Sequence, residues 1–406
     1  MLKPGFILIC LLLLPLAGCS TASRRAKTPA AADWSLVEKT NLPPLALEHV
    51  SEGPPIARSS DALPDPFNAR AAARGETWIP FDRWSRENGV GTLREIAAVP
   101  APVYALKTAH GELVFRIKSL LAKWNGLEFH LGFEPVLIGG QPFLHTLDLE
   151  KNIKPLLRPF EIPARTNRVL VIDPGHGGRN TGADSVLQNV NEKEFTLDWA
   201  RRLARLLTTN GWQVFLTRTN DADMSLSNRV ALAEEHQADL FISLHFNSSA
   251  PGHEQAGLET YCLTPAGMPS TLKRGYEDDT SLTFANNSFD GQNFLFALRL
   301  HGSLVKATGE QDRGVRRARF LAVLRGQHRP AVLIEGGYLS NPREARRIAD
   351  PAFREQLAET LAGALENKNE DGGWKMEDGR KLETTNGSIQ SHTAKLVAPA
   401  RMENGR

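Results

Sequence analysis

Arg168-Val169-Leu170-Val171-Ile172-Asp173-Pro174-Gly175-His176-Gly177-Gly178 decides the fold of this chain. Its first half is an unbroken apolar run, as expected of a strand buried on both faces. In its second half, glycines on both sides of His176 let the backbone turn sharply and leave the imidazole exposed at a sheet edge. Downstream, Phe195, Trp199, Leu203, Leu206 and Leu207 recur at spacings of three and four, a helical stripe, and Gly211 stands where that helix should stop. A strand over 213–217, a short helix over 227–235 and a strand over 240–244 follow. The run is βαβαβ, so the fold class is α/β, a mainly parallel twisted sheet with helices on both faces. Beyond an irregular stretch come a predicted helix over 293–307, a strand over 331–335 and a last helix over 352–365.

Upstream the character differs. Residues 77–157 carry short apolar runs bounded by Gly and Pro, such as Leu113-Val114-Phe115-Arg116-Ile117 and Pro135-Val136-Leu137-Ile138, and read as a small mixed, β-rich domain preceding the main one. Residues 20–76 are rich in Ala, Pro, Ser and charge without a hydrophobic period, and read as a flexible tether. After 166–366, the main domain, residues 367–406 have few apolar side chains and read as a disordered tail. At the start, Lys3 precedes an apolar run over 6–17 that is short for a bilayer span and reads as an export signal.

At 406 residues and 41% hydrophobic, the chain can bury a full core and a smaller one beside it. Its 48 Lys plus Arg against 46 Asp plus Glu leave a formal charge of +2, so no global field draws it to nucleic acid. Of the three cysteines, Cys10 and Cys19 fall in the signal. That leaves Cys262, in the alternating run 258–263, as a small buried hydrophobe with no disulfide partner.

Three of the buried strands run directly into a metal ligand or an acid: Asp173 to Gly178, then Ser243-Leu244-His245-Phe246-Asn247, then Ile334-Glu335-Gly336-Gly337. In open α/β sheets the carboxyl ends of strands are where ligands bind. Between the first two lies Asn191-Glu192-Lys193-Glu194, at the entry to the first long helix. Two imidazoles and one carboxylate are a common protein shell for catalytic Zn²⁺, because three ligands leave a fourth position for water. A second acid must then take a proton from that water and pass it to the departing group. Glu192 and Glu194 both stand near enough to supply the carboxylate, the other being free to cap the helix. Arg229, His301 and His328 are read as structural.

At these residues the sequence resembles the zinc-dependent N-acetylmuramoyl-L-alanine amidases, a family marked by a DPGHGG turn, a Glu-Lys-acid helix start, an SxHxN strand end and a late LxExG(F/Y)xSN segment. All four occur in order, the last as LIEGGYLSN over 333–341, and the likeness covers about 168–365. It implies that His176, Glu192 and His245 bind zinc and that Glu335 is the general acid/base. It also implies that the substrate is peptidoglycan, cut between the sugar and the stem peptide. Asp173 is expected to orient His176 or to stabilise its turn, and Asn247 to touch substrate.

Leu16-Ala17-Gly18-Cys19-Ser20 resembles a lipobox, which implies lipidation at Cys19 and a lipid-anchored place in the cell envelope, with Ser20 favouring the outer membrane. Some relatives carry an inserted segment that covers the metal until an activator protein removes it. The long stretch 264–291 is where such a segment would fall here. Two other readings stay open on the residues: a catalytically idle, lipid-anchored peptidoglycan binder, and a zinc carboxypeptidase or deacetylase.

Overall fold

The computed structural model describes residues 77–158, 168–187, 190–272 and 278–366. The export signal with Cys19, the tether and the tail lie outside them. The strand β1 (Trp78–Pro80) and the helix α1 (Phe81–Glu87) lead into a meander of β2 (Leu93–Ala97), β3 (Val103–Lys107), β4 (Glu112–Arg116), β5 (Leu121–Trp124) and β6 (Leu127–His130). Then come β7 (Val136–Ile138), β8 (Gln141–His145) and a helical run that ends at Leu157.

The second half begins with β9 (Val169–Pro174), α2 (Glu192–Thr209), β10 (Gln213–Leu216), α3 (Leu226–Glu235) and β11 (Leu240–Asn247). It continues through β12 (Leu258–Cys262), α4 (Asp290–Thr308), β13 (Asp312–Arg317), α5 (Ala322–Arg325), β14 (Ala331–Tyr338), α6 (Pro342–Ala349) and α7 (Pro351–Glu366).

Strand order in the main sheet is β10-β9-β11-β14-β12-β13-β6-β5-β4-β3-β2. β10, β9, β11 and β14 run parallel, β12 is antiparallel to β14, and β13 is parallel to β12. The expected α/β sheet is there, but the β-rich segment before it does not keep all its strands to itself. Through the pairing of Val315 with Phe129, β13 carries the sheet on into the meander, and only β1, β8 and β7 form a separate three-stranded sheet. The polar run Asp312-Arg313-Gly314-Val315-Arg316-Arg317 gives no apolar strand signal, which is why this bridging strand is not foreseen from sequence.

The two faces follow the period of two along each strand. On β9, Leu170 and Ile172 join Phe195, Trp199, Leu203 and Leu207 of α2 and the apolar sides of α4 and α7 in one core. Val169 and Val171 face the other way, with Phe241, Ala331 and Leu333 against Ala233 of α3 and Leu324 of α5. That second face changes character toward the carboxyl ends: Val171 gives way to Asp173, Phe241 to Ser243, His245 and Asn247, and Leu333 to Glu335. The apolar core of one sheet face thus opens into a polar rim.

Helix ends are set locally. Ser225 caps α3 by accepting from the Asn228 amide, and Asn341 caps α6 by accepting from the amides of Arg343 and Glu344, with Pro342 in the first turn. Cys262 is buried and unpaired, as expected. Among the described residues no helix is long and apolar enough to cross a membrane.

Candidate active site

Glu192 opens α2 and is buried, whereas Glu194 two residues on is exposed. The helix therefore turns the first of the two acids into the rim. Its Oε1 accepts from the Phe246 amide at 3.0 Å and its Oε2 from the Ala183 amide at 2.9 Å. His245 Nδ1 lies 2.9 Å from Oε1, and His176 Nε2 lies 3.0 Å from Oε2. The last pair is close without being aligned as a hydrogen bond, so Nε2 is a buried nitrogen with no hydrogen-bond partner. One ligand atom from each of His176, Glu192 and His245 falls within 4.8 Å of the others.

The backbone around the cluster leaves no room for side chains. A Cβ on Gly175 would stand 2.3 Å from the His245 ring, and one on Gly182, at φ +72°, would stand 2.6 Å from Glu192 Oε2. His176 itself holds φ at +62°, a conformation that a non-glycine residue adopts at a cost. Asn180 helps to hold it there, its Oδ1 lying 2.8 Å from His176 Nδ1.

Asp173 is expected either to orient His176 or to stabilise its turn. Its carboxylate accepts from Thr217 Oγ1 and Arg229 Nη1, both at 2.5 Å, and from Ser243 Oγ at 2.7 Å, so the His176 ring is not its partner. It acts on the turn through Arg229, which also donates to the carbonyls of Pro174 and His176. Burial opposes the Asp173 charge, but Arg229 and these donors hold its pKa below the ordinary value. Arg229 is thus structural, as expected. So is His301, whose ring lies between Thr260 Oγ1 and Asp312 Oδ1. His328 sits on the surface against Glu234.

Burial would raise the pKa of Glu192 too, but the two imidazoles beside it hold it well below the usual carboxylate range. His245 is pushed down by burial, so it stays neutral and free to ligate. At His176 burial also disfavours charge, yet the Glu192 carboxylate overcomes it and draws a positive charge to this spot. An anionic carboxylate, a neutral imidazole and an orphaned ring nitrogen converging on one point fit a divalent cation. A tetrahedral ion bound at about 2.0–2.1 Å spaces its ligand atoms roughly 3.4 Å apart, and the three ligand atoms here fall within 4.8 Å of one another.

Glu335 lies beside His245 in the parallel register of β14 and β11 and is 6% exposed. Its Oε2 has no partner. Burial, then the negative charges of Glu192 and Glu259, push its pKa well above the ordinary value, so this carboxyl keeps its proton more readily than an ordinary glutamate.

Directly opposite, across the antiparallel pair of β12 and β14, stands Glu259, which the sequence pattern does not single out. It accepts from Tyr261 Oη at 2.5 Å, Arg313 Nε at 2.8 Å, Asn247 Nδ2 at 3.0 Å and Tyr338 Oη at 3.2 Å. Asn247, expected to touch substrate, spends its amide on this carboxylate and its carbonyl on the Ser248 amide. The signal that could have found Glu259 is its alternation with Tyr261 along 258–262, facing the same side as Glu335.

His176, Ala183, Glu192, His245, Phe246, Asn247 and Glu335 line one cleft. Among the described residues none from 264–291 borders it. Arg319 pins both arms of that stretch, donating to the carbonyls of Pro265, Met268 and Leu282.

The sequence profile of the N-acetylmuramoyl-L-alanine amidases matches residues 170–367, the segment that builds this cleft. The chain is 32% identical over 199 residues to the N-acetylmuramoyl-L-alanine amidase CwlM of Bacillus licheniformis, covering 48% of this chain and 66% of that protein. Over this segment the chain is similar to the N-acetylmuramoyl-L-alanine amidase family. The amidase AmiC of Escherichia coli O6:H1 is 28% identical over 250 residues, which cover 55% of this chain and 59% of AmiC. This chain thus spans about three fifths to two thirds of the length of these amidases. The solved catalytic domain of the amidase CwlV from Bacillus (Paenibacillus) polymyxa is 33% identical over 49% of this chain and 96% of that domain, at a TM-score of 0.41.

Proposed function

We propose that this chain is a zinc-dependent amidase that hydrolyses the bond between N-acetylmuramic acid and L-alanine in peptidoglycan. The observation that carries the reading is the convergence of His176, Glu192 and His245 on one point at the carboxyl ends of the parallel strands, with Glu335 in the adjoining register. His176 would bind through Nε2, since Nδ1 is held by Asn180, and His245 and Glu192 would complete the protein shell. Zinc, when bound, brings the pKa of its water to about 7 and polarises the carbonyl under attack.

The chain's own residues supply the rest. Glu335 takes the proton of the attacking water and delivers it to the departing nitrogen, because an amide anion leaves too poorly on its own. One C–O bond forms, the C–N bond breaks, and the products are the muramic acid carboxyl and a free peptide amine. The Glu192 carboxylate, tied to two backbone amides, fixes where both imidazoles can stand.

The apolar run over 6–17 and the lipobox ending in Cys19 support a lipid anchor that keeps the enzyme in the cell envelope, on the periplasmic face of the outer membrane. Membrane contact is then through the N-terminal lipid, and an activator protein remains a candidate partner.

Mass spectrometry of purified peptidoglycan, digested with and without zinc, tests the function. Glycan strands freed of intact stem peptides, chelator-sensitive release and a loss of roughly 10²–10⁴-fold in Glu335→Gln with the fold retained are expected. Release of only terminal D-alanine or of acetate would reassign the bond, and metal-free release at full rate would end the zinc reading.

A further inference from the structure

The sheet face that carries Glu335 does not stop at β14. Glu335 is paired with Glu259 on β12, Tyr261 on β12 is paired with Arg316 on β13, and paired residues share a face. Arg313 reaches the same spot from β13, its Nε donating to Glu259 Oε1 at 2.8 Å and its guanidinium lying 5.2 Å from the centre of the Tyr338 ring. Arg316 Nε lies 3.4 Å from the same oxygen and donates to the Arg313 carbonyl at 3.3 Å. Two arginines thus close over one buried carboxylate, on a strand that lies two strand spacings from Glu335, or about 10 Å.

This arrangement leaves a positive charge over. Glu259 offsets one guanidinium, and its other donors, Tyr261, Tyr338 and Asn247, are neutral. The acids next along the sheet are taken: Asp312 by His301 and the amides of Glu128 and Gly314, Glu128 by Lys123 at 3.3 Å. Both arginines meet Glu259 through Nε, and among the described residues no acceptor is hydrogen-bonded to their Nη groups. The Arg313 and Arg316 side chains are 21% and 16% exposed, so these donors are held in a fixed frame and stay open to a ligand. Guanidinium forks suit a carboxylate, and two side by side hold it by charge as well as by hydrogen bonds.

We propose that Arg313 and Arg316 form an anion subsite that takes a free carboxylate on the second residue of the released peptide. The inference rests on the amidase reading and names the part of the peptide that the enzyme grips. With the carbonyl of the scissile amide turned toward His176, Glu192 and His245 and the nitrogen at Glu335, the peptide departs from that nitrogen over β12 toward β13. Two residues of extended chain span about 7 Å and a hydrogen bond adds roughly 3 Å, which together match the two strand spacings. A carboxylate there offsets the surplus charge and occupies the Nη donors.

The test uses the full chain with zinc and two soluble muramyl tripeptides that differ only at the α-carboxyl of the second residue, free in one and a carboxamide in the other. The wild-type enzyme is expected to prefer the free acid by about 10-fold in kcat/KM, the discrimination that a charge-assisted hydrogen bond supplies. Arg316→Gln, which leaves Arg313 on Glu259, should bring the ratio close to one by slowing the acid while the carboxamide is cut within a few-fold of the wild-type rate. Arg316→Lys keeps the charge without the fork and should restore part of the preference. The peptides released from the two substrates should inhibit in the same order, the acid more tightly.

Equal kcat/KM for acid and carboxamide in the wild-type enzyme, a comparison that needs no variant to fold, would overturn the subsite and leave the amidase reading standing. So would an undiminished preference in a folded Arg316→Gln enzyme, or an equal slowing of both substrates, which would mark Arg316 as structural. Failure to release peptide from either tripeptide and from intact peptidoglycan would overturn the amidase reading, and the subsite with it.

Discussion

Asn180 Oδ1 meets His176 Nδ1 at 2.8 Å across the glycine-rich turn after β9, so the nitrogen facing Glu192 is the other one, Nε2. The same oxygen accepts from the Gly182 amide at 3.2 Å and thereby ties the ring to the loop that passes Glu192. A hydrogen-bond acceptor on one ring nitrogen selects the tautomer whose other nitrogen carries a lone pair, and it fixes the plane in which that lone pair points.

Asn180→Ala is therefore expected to lower zinc affinity by roughly 10–100-fold, the usual effect of removing such an outer partner. Competition with a chromophoric chelator measures this directly. Asn180→Asp, which keeps an acceptor in place, should bind within a few-fold of wild type. Equal affinities for wild type and the alanine variant would mean that the turn alone holds His176.

Much of this site is legible in the sequence because its chemistry is delivered by strand ends. An all-buried strand reads as a continuous apolar run, and the first polar residues past it must lie at the sheet's rim, which brings His176, His245 and Glu335 together on sequence grounds alone. What the sequence hides is pairing between distant polar residues. Glu259 follows an apolar leucine in a strand that alternates, and nothing local says that Arg313 and Tyr338 converge on it. Asn180 looks like one more residue of a Gly-rich loop. The partners of Asp173 are hidden for the same reason: Thr217, Arg229 and Ser243, all distant in sequence, claim it. The continuation of the sheet into β6 through β13 escapes notice because Arg317, buried and hydrogen-bonded, takes the place of an apolar strand residue.

His130, at the end of β6, is mostly buried, and its Nδ1 has no hydrogen-bond partner. Burial, with the positive charge of Arg316, lowers its pKa from 6.5 to about 4, against smaller opposing effects of Glu259 and Asp312. The folded state thus binds fewer protons than the unfolded chain between these values, so stability rises with pH across that window. The contribution is complete above about pH 6.5 and is lost as the pH falls toward about 4. A fall of this size corresponds to roughly 3 kcal/mol at the extreme. Urea denaturation from about pH 7 down to about pH 4 should show a steeper loss of stability in wild type than in His130→Gln. Parallel curves would show that His130 titrates alike in both states.

Arg317 joins the two halves of the described chain. Its Nε and Nη2 donate to Asn152 Oδ1 at 3.0 and 2.7 Å, Nη2 reaches the Lys151 carbonyl at 2.9 Å, and Nη1 the Leu263 carbonyl at 3.2 Å. Asn152 in turn donates to Asp148, which also accepts from the amides of Gly132 and Phe133. Next to this chain of bonds, Lys151 pairs with Asp290 at the start of α4. The segment before residue 158 is therefore fastened to the end of β13 and to the start of α4. Removing Asn152 leaves a buried guanidinium short of an acceptor, which costs about 2–3 kcal/mol. Calorimetry of the full chain is expected to show one cooperative transition for wild type. Asn152→Ala should lower its midpoint by several degrees, about 2–4 °C per kcal/mol for a unit of this size or smaller shifts for a larger one. Two well-separated transitions in wild type would mean that the β-rich segment folds independently and that Arg317 contributes nothing across the join.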